Sequence, residues 1–246
     1  MSALLKRTDT PQAPRLPNED PLVDLRFRAL LGAAEWEKLP ADIRARFSKR
    51  LSGAAAAIYV GRISELRMNR AGRILSQSLR LIGAPLPICL DTDVASVVTV
   101  TEDGDTGGQV WTRLYARRGG FPQVIHSAKR FAGPTGLEEY IGFRLAMALT
   151  LAVEDGTLAF RSAGYNLKLG RFRLPLPRWL TPGRLTVTHR ETGAGAFEFA
   201  LHLSHPLFGE LLHQSGQYRD QHGGAKPRSG SMTASASSAR AAWPIR

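Results

Sequence analysis

The feature that most constrains the fold is the run from Gly142 to Gly183. Within it Phe143, Leu145, Met147, Leu149, Leu151 and Val153 alternate with Arg144, Ala146, Ala148, Thr150, Ala152 and Glu154. A period of two puts large apolar groups on one face of a strand and small or polar groups on the other. Glu154-Asp155-Gly156 supplies a tight turn, since Asp and Gly tolerate the positive φ that hairpins require. Leu158 and Phe160 resume the alternation on the returning strand. The segment from Arg171 to Leu180 holds Pro175 and Pro177, which lack an N–H and keep their predecessors extended. A long hairpin is therefore expected to end in a rigid, basic and aromatic strap that does not continue the ladder.

The same alternation recurs along the chain. Leu51 to Leu66 reads as a first long strand, and from Thr92 onward the pattern is strand throughout. Val98 and Val100 precede the turn Glu102 to Gly108, after which Val110, Thr112 and Leu114 face away from Trp111, Arg113, Tyr115 and Arg117. Val124 to Phe131, Arg184 to Thr192 and Ala196 to Ser204 follow, and Leu207 to Tyr218 is either a strand or a short helix. Two short helices are expected between Leu22 and Ser48. A third, capped by Asn69, is expected from Arg70 to Ile82 and closed by Gly83 and Pro85. It would carry Ile74, Leu75, Leu79, Leu81 and Ile82 on one side and Arg70, Arg73 and Arg80 on the other. The fold class is α+β: a large, curved, mostly antiparallel sheet, a meander of about eight to nine strands, with two to three helices from the N-terminal third packed on it. Residues 1–20 read as a flexible leader, 21–218 as a single domain and 219–246 as a disordered basic tail.

Charge narrows the partners. The net charge is +12 with a pI near 10.6, and Asp42 to Leu81 carries much of it, with only Asp42 and Glu65 to offset its bases. An anionic membrane surface, nucleic acid or an anionic ligand all fit such a balance. No recognition helix or RNA-binding signature accompanies it, which ranks nucleic acid lowest. Cys89 is the one cysteine, so no intrachain disulfide forms. No apolar run reaches the roughly 20 residues that span a bilayer, and the apolar patch before Lys6-Arg7 is too short for a secretory signal. The expected location is the cytoplasm, or the periphery of the inner membrane.

Standard catalytic signatures are absent: no phosphate-binding loop, no G-x-G-x-x-G opening a helix, no H-E-x-x-H and no G-x-S-x-G. No cofactor is expected. No metal is expected either, because a zinc site needs three or four convergent ligands and His202 and His205, three apart on a strand, point to opposite faces. Glu138 and Glu139 are adjacent and likewise split, so they form no carboxylate pair. Glu139 or Tyr140 remains a candidate acid or base. The strongest constellation is the row Trp111, Arg113, Tyr115 and Arg117. On the concave side of a curved sheet it offers aromatic walls and fixed cations to an amphipathic anion, with Arg161 as a further charge. Arg70, Arg73 and Arg80 are the candidates for membrane or anion contact.

With these residues assembled, the chain resembles a bacterial family known as domain of unknown function 4166. The likeness rests on Phe27-Arg-Ala-Leu-Leu-Gly32 with Leu39-Pro40, on Leu81-Ile-Gly-Ala-Pro-Leu-Pro87, and on Trp111-Thr-Arg113. It continues with Glu139, Gly142, Val153-Glu-Asp-Gly156 and the strap Leu174-Pro-Leu-Pro-Arg-Trp-Leu-Thr-Pro182. That family occurs alone or fused behind saccharopine-dehydrogenase-like reductase domains, which implies a metabolic setting and a reductase partner but no assigned activity. The leading expectation is a binding or accessory module for an apolar or amphipathic acidic small molecule held on the concave face. The alternatives are an enzyme working alongside a nicotinamide-dependent reductase, and a peripheral membrane protein attached through the basic amphipathic helix.

Overall fold

The computed structural model describes residues 22–52, 55–81, 86–170 and 172–221. Two short strands, β1 (Leu22–Val23) and β2 (Lys49–Arg50), pair antiparallel and bracket three short helices: α1 (Arg26–Leu31), α2 (Ala33–Glu37) and α3 (Ala41–Phe47). Then come β3 (Ala56–Met68), α4 (Arg70–Arg80), β4 (Val94–Asp103), β5 (Gly108–Tyr115), β6 (Gln123–Arg130), β7 (Glu138–Gly142), β8 (Leu145–Glu154) and β9 (Thr157–Leu169). After them follow β10 (Phe172–Pro175), a 3-10 turn at Arg178–Leu180, β11 (Arg184–Gly193), β12 (Ala196–His205) and β13 (Gly209–Asp220).

The sheet is mostly antiparallel, as expected, but it is not an open curved sheet of eight or nine strands. It closes into a ten-stranded barrel in the order β3-β4-β5-β6-β7-β8-β9-β11-β12-β13, with β13 returning to β3. Closure has a clear driving force, because among the described residues it leaves none of the ten barrel strands as an edge strand. Two joins make it possible. β13, the last strand, pairs with β3, the first long one, and β9 pairs with β11 across the intervening strap. β9 is long enough to do two jobs: Leu158 to Arg161 face β11, while Asn166 to Leu169 face β10.

The helices sit at one end of the barrel instead of lying on the face of a sheet. Phe27, Trp36, Ile43 and Phe47 are all buried there, at roughly 2 kcal/mol apiece by transfer of apolar area. Phe47 is the plug: its ring lies 5.6 Å from Phe160, 6.5 Å from Trp111 and 5.1 Å from His189, inward side chains of three different strands. At the opposite end α4 packs on β13. Asn69 caps it as expected, its Oδ1 accepting the Gly72 N–H at 2.7 Å, and its amide donates to the Phe208 carbonyl at 2.9 Å.

Several local expectations need correction. Three helices, not two, occupy the segment before β2. Phe143 and Arg144 do not belong to a strand: they form a two-residue turn at φ of 47° and 64°, joining β7 to β8. The strap does continue the ladder for four residues, since β10 pairs with β9 through Pro175. A missing N–H is harmless on that outer strand. The hairpin turn at Asp155-Gly156 is as expected, with both residues at positive φ. The segment from Leu207 resolves as strand β13, which runs past the expected boundary at 218 to Asp220. On α4 the buried residues are Gly72 and Ser76, while Ile74 and Leu81 stand 69% and 84% exposed. Bringing the helix this close to β13 needs small residues, because a Cβ at Gly72 would collide with the Leu211 carbonyl oxygen. The leader, Ile82, Gly83, Pro85 and the tail from residue 222 lie outside the described residues.

Candidate functional site in the barrel interior

Register fixes which side chains point inward. Val98 lies opposite Arg113, Trp111 opposite Ser127, Lys129 opposite Glu139, Glu139 opposite Met147, and Met147 opposite Tyr165. A row of interior positions therefore carries a lysine, a glutamate and a tyrosine on neighbouring strands, with an arginine one step away. The lumen there holds a cavity of about 70 Å³. Arg113, Ser127, Lys129, Glu139 and Tyr165 form its polar wall, and Met147, Val187, Phe199 and Leu201 are among its apolar side chains. The cavity runs toward the α4 end, where Leu79, Leu86, Ile141 and Pro182 form a half-exposed rim.

The polar wall is one buried network. Arg113 Nη2 donates to Ser127 Oγ at 2.6 Å and to Glu139 Oε1 at 3.2 Å. Lys129 Nζ donates to Glu139 Oε2 at 3.4 Å, and lies 4.6 Å from the centre of the Trp111 ring, a favourable place for a cation. Burial alone would raise the Glu139 pKa, but Lys129 and Arg113 outweigh it, helped by the Ser127 and Lys129 hydrogen bonds, and hold it at about 2. A carboxyl held there is ionised throughout the physiological range and has no proton to give. Lys129 is pulled below its ordinary value by burial and by Arg113, against the opposing pull of Glu139. Burial raises the Tyr165 pKa well above the usual phenol range, so it stays neutral. Two basic side chains share one carboxylate, and Arg113 Nε has no hydrogen-bond partner among the described residues. Chemically, the site is a low-dielectric pocket with a surplus of cationic donors.

A second buried cluster lies at the plugged end. Arg46 Nη1 donates to His189 Nε2 at 2.9 Å, and its Nη2 stands 3.6 Å from Glu191 and 3.5 Å from Asp220. The guanidinium lies 4.0 Å over the Phe197 ring. This cluster ties α3 to β11, β12 and β13.

Of the residues singled out from sequence, Trp111, Arg113 and Tyr115 all point into the lumen, but only Arg113 reaches the cavity. Trp111 is packed against Phe47 and Phe199 and donates from Nε1 to Gln109 Oε1 at 3.2 Å. Tyr115 is buried on the other side of Arg113, beside Gln214. Arg161 is not brought to this group: it is on the outer face, paired with Glu154. Glu139 joins the cavity, whereas Tyr140 faces outward beneath the Arg130 guanidinium at 4.3 Å. Glu138 also faces outward yet is fully buried, clasped by Lys168 at 2.9 Å and by Arg173 from β10. Arg70, Arg73 and Arg80 are exposed on α4. Among the described residues no group of three or more His, Cys, Asp or Glu is placed to hold a metal ion, and no helix is long and apolar enough to cross a membrane.

Lys129, Ser127 and Tyr165 were not legible as site residues from the sequence alone. The available signal was phase: Lys129 keeps step with Ile125 and Ser127 on β6, hence with a face whose other members are buried.

Residues 39–218 match the family model described as Domain of unknown function (DUF4166). No curated protein matches the chain.

Proposed function

We propose that this chain, which belongs to the DUF4166 family, is a binding module whose barrel interior takes an apolar or amphipathic acid, the anionic group seated between Arg113 and Lys129. One observation carries this reading: the buried wall holds two basic side chains against the single carboxylate of Glu139, with the neutral Ser127 and Tyr165 beside them and apolar groups on the rest of the cavity. An uncompensated buried cation is costly, and a ligand carboxylate supplies the missing countercharge together with an acceptor for Arg113. Bidentate geometry favours the guanidinium for that task. A cavity of about 70 Å³ admits the acid group and a short chain. Longer chains follow the apolar wall past Ile141 toward Leu79 and Pro182. A closed barrel is a common container for ligands of this size and character.

The test is calorimetric titration with straight-chain carboxylic acids of increasing length. The parent protein is expected to bind, and Arg113→Met to bind about tenfold or more weakly, since loss of one charge-assisted hydrogen bond to a buried anion is worth at least ~1.4 kcal/mol. Equal affinity in Arg113→Met and parent, or no binding to any acid of the series, removes this reading.

A further inference from the structure

The two ends of the barrel differ in chemistry. The α4 end is built from five connections: the α4 segment between β3 and β4, then β5–β6, β7–β8, the hairpin and strap between β9 and β11, and β12–β13. Each exposes a large apolar side chain. Phe121 (91% exposed), Phe143, Trp179 (80% exposed) and Phe208 come from four of them, and Ile74 and Leu81 from the fifth. At the opposite end the four strand-to-strand turns expose no large hydrophobic among the described residues; Val23, Leu25 and Leu30 of the N-terminal segment are the exposed aliphatics there. Every exposed aromatic of the described residues thus lies at the α4 end.

The pairing of charges differs between the ends as well. Arg70, Arg73 and Arg80 on α4, Arg118, Arg144 and Arg178 are exposed at this end. The acids in its connections are Asp91, which accepts the Arg118 N–H at 3.1 Å, and Asp93, which pairs with Arg62 at 3.3 Å. The short turns at the other end carry Asp105 and Asp155 and no base, and the bases Arg28, Lys38 and Arg44 of its helices are paired with Glu37 and Glu35. At the α4 end, contacts between the connections place these segments side by side. Asn69, at the start of α4, holds the Phe208 carbonyl. Arg178 and Pro206 line one hollow, and Leu79 and Pro182 share the cavity rim.

We infer that this face docks on an anionic lipid bilayer. Scattered exposed apolar groups are ordinary, but aromatics gathered on one end and interleaved with arginines that have no carboxylate partner among the described residues are the pattern of interfacial binding. Aromatic rings settle at the headgroup level, while each arginine near an anionic surface adds an attraction that salt weakens. The cavity rim lies in the same face, so a ligand entering or leaving the lumen would do so at the bilayer. Docking itself is independent of what the cavity holds.

The experiment is co-sedimentation of the full chain with vesicles of phosphatidylcholine alone or mixed with phosphatidylglycerol. Binding is expected to the mixed vesicles only and to fall with added salt. Trp179→Ser with Phe208→Ser should lower the partition roughly tenfold or more. Arg73→Glu with Arg80→Glu should remove the preference for the anionic lipid. All four sites are exposed, so the thermal midpoint should stay that of the parent. Arg113→Met should leave sedimentation unchanged, which separates failure of docking from failure of the cavity reading. Docking is overturned by equal binding to both vesicle types or to neither. It is equally overturned if the aromatic double variant binds like the parent, or if neutralising Lys226, Arg228 and Arg240 abolishes binding while the α4-end variants do not. A lipid-free dimer that the aromatic double variant dissociates would assign the face to a second copy of the chain instead.

Discussion

Arg46 Nη1 and His189 Nε2 meet at 2.9 Å, an interaction between α3 and β11, the eighth strand of the barrel wall in chain order, that spans 143 positions in sequence. Because the guanidinium can only donate, His189 accepts at Nε2 and carries its proton on Nδ1. Burial, then Arg46, then Lys129, hold its pKa well below the ordinary 6.5. The imidazole is therefore neutral in the folded protein, while the unfolded chain takes up a proton below about 6.5. The folded state binds fewer protons, so stability is full above that value and declines as pH falls through it, by up to about 1.4 kcal/mol per pH unit. Urea midpoints measured from pH 8 to pH 5 should show this decline. His189→Gln keeps an acceptor for Arg46 and removes the titration, so its midpoint should be nearly flat over the same range.

Glu139 anchors the buried network of the cavity wall, and its removal leaves two basic groups, Arg113 and Lys129, without their carboxylate. Glu139→Gln should cost roughly 3–5 kcal/mol, the range for breaking a buried ion pair from one side. Lys129→Met added to Glu139→Gln should recover part of that loss, because it also removes the cation left without its countercharge, and the deviation from additivity measures the coupling. The acid limb of the stability profile belongs to the same group. With a folded pKa of about 2 against an ordinary 4.5, Glu139 contributes stability that is complete above about 4.5 and disappears as pH falls toward 2. In Glu139→Gln that part of the acid transition should be missing.

The strands of this fold were legible because their period-two alternation is local, and so were the Asn69 cap and the Asp155-Gly156 turn. Barrel closure was not. It depends on β13 finding β3, more than 140 positions away, and on β9 passing over the strap to reach β11; nothing in either strand's own sequence records its partner. The same limit governs the site. Trp111, Arg113 and Tyr115 could be assigned to one face from their spacing, but whether that face met ligand or packing depended on Phe47, which arrives from α3. Arg161 follows directly on the inward Phe160 of β9, so strand alternation alone places it on the outer face. Lys129 could have been picked up, because it keeps the phase of Ile125. What sequence could not supply is that Lys129 stands opposite Glu139 on the neighbouring strand, which is what turns two charged residues into a buried pair.

Filling the cavity should separate its role in binding from its role in stability. Leu201 lies on β12 opposite Val187 of β11, and both line the lumen. Leu201→Trp places an indole into the free volume; overpacking of this kind typically costs about 1–3 kcal/mol while leaving the architecture in place. Such a variant should melt cooperatively at a somewhat lower temperature, keep its far-ultraviolet dichroism, and bind no carboxylic acid in titration. Retained affinity would show that the acid sits elsewhere on the molecule.

The seating of α4 on β13 offers a test of how the rim is held. Gly72 and Ser76 face β13 and its surroundings, and Ser76 Oγ donates to the Pro87 carbonyl at 2.6 Å, so the helix is fixed both to the barrel and to the segment that follows it. Replacing Gly72 by Ala should raise intrinsic helix propensity by about 1 kcal/mol. Here the new methyl would meet the Leu211 carbonyl oxygen and the Met68 side chain, and the helix must lift to admit it. The clash is with backbone, which cannot swing aside, so Gly72→Ala should be net destabilising despite the propensity gain. Asn69→Ala removes the cap and the bond to Phe208 together, at a cost of about 1 kcal/mol or more. Hydrogen exchange distinguishes the two readouts: both variants should speed exchange in α4, while protection in β5, β6 and β7 at the far side of the lumen stays as in the parent. Uniform acceleration across the barrel would mean that α4 is part of the barrel's global folding unit and not a rim element that opens by itself.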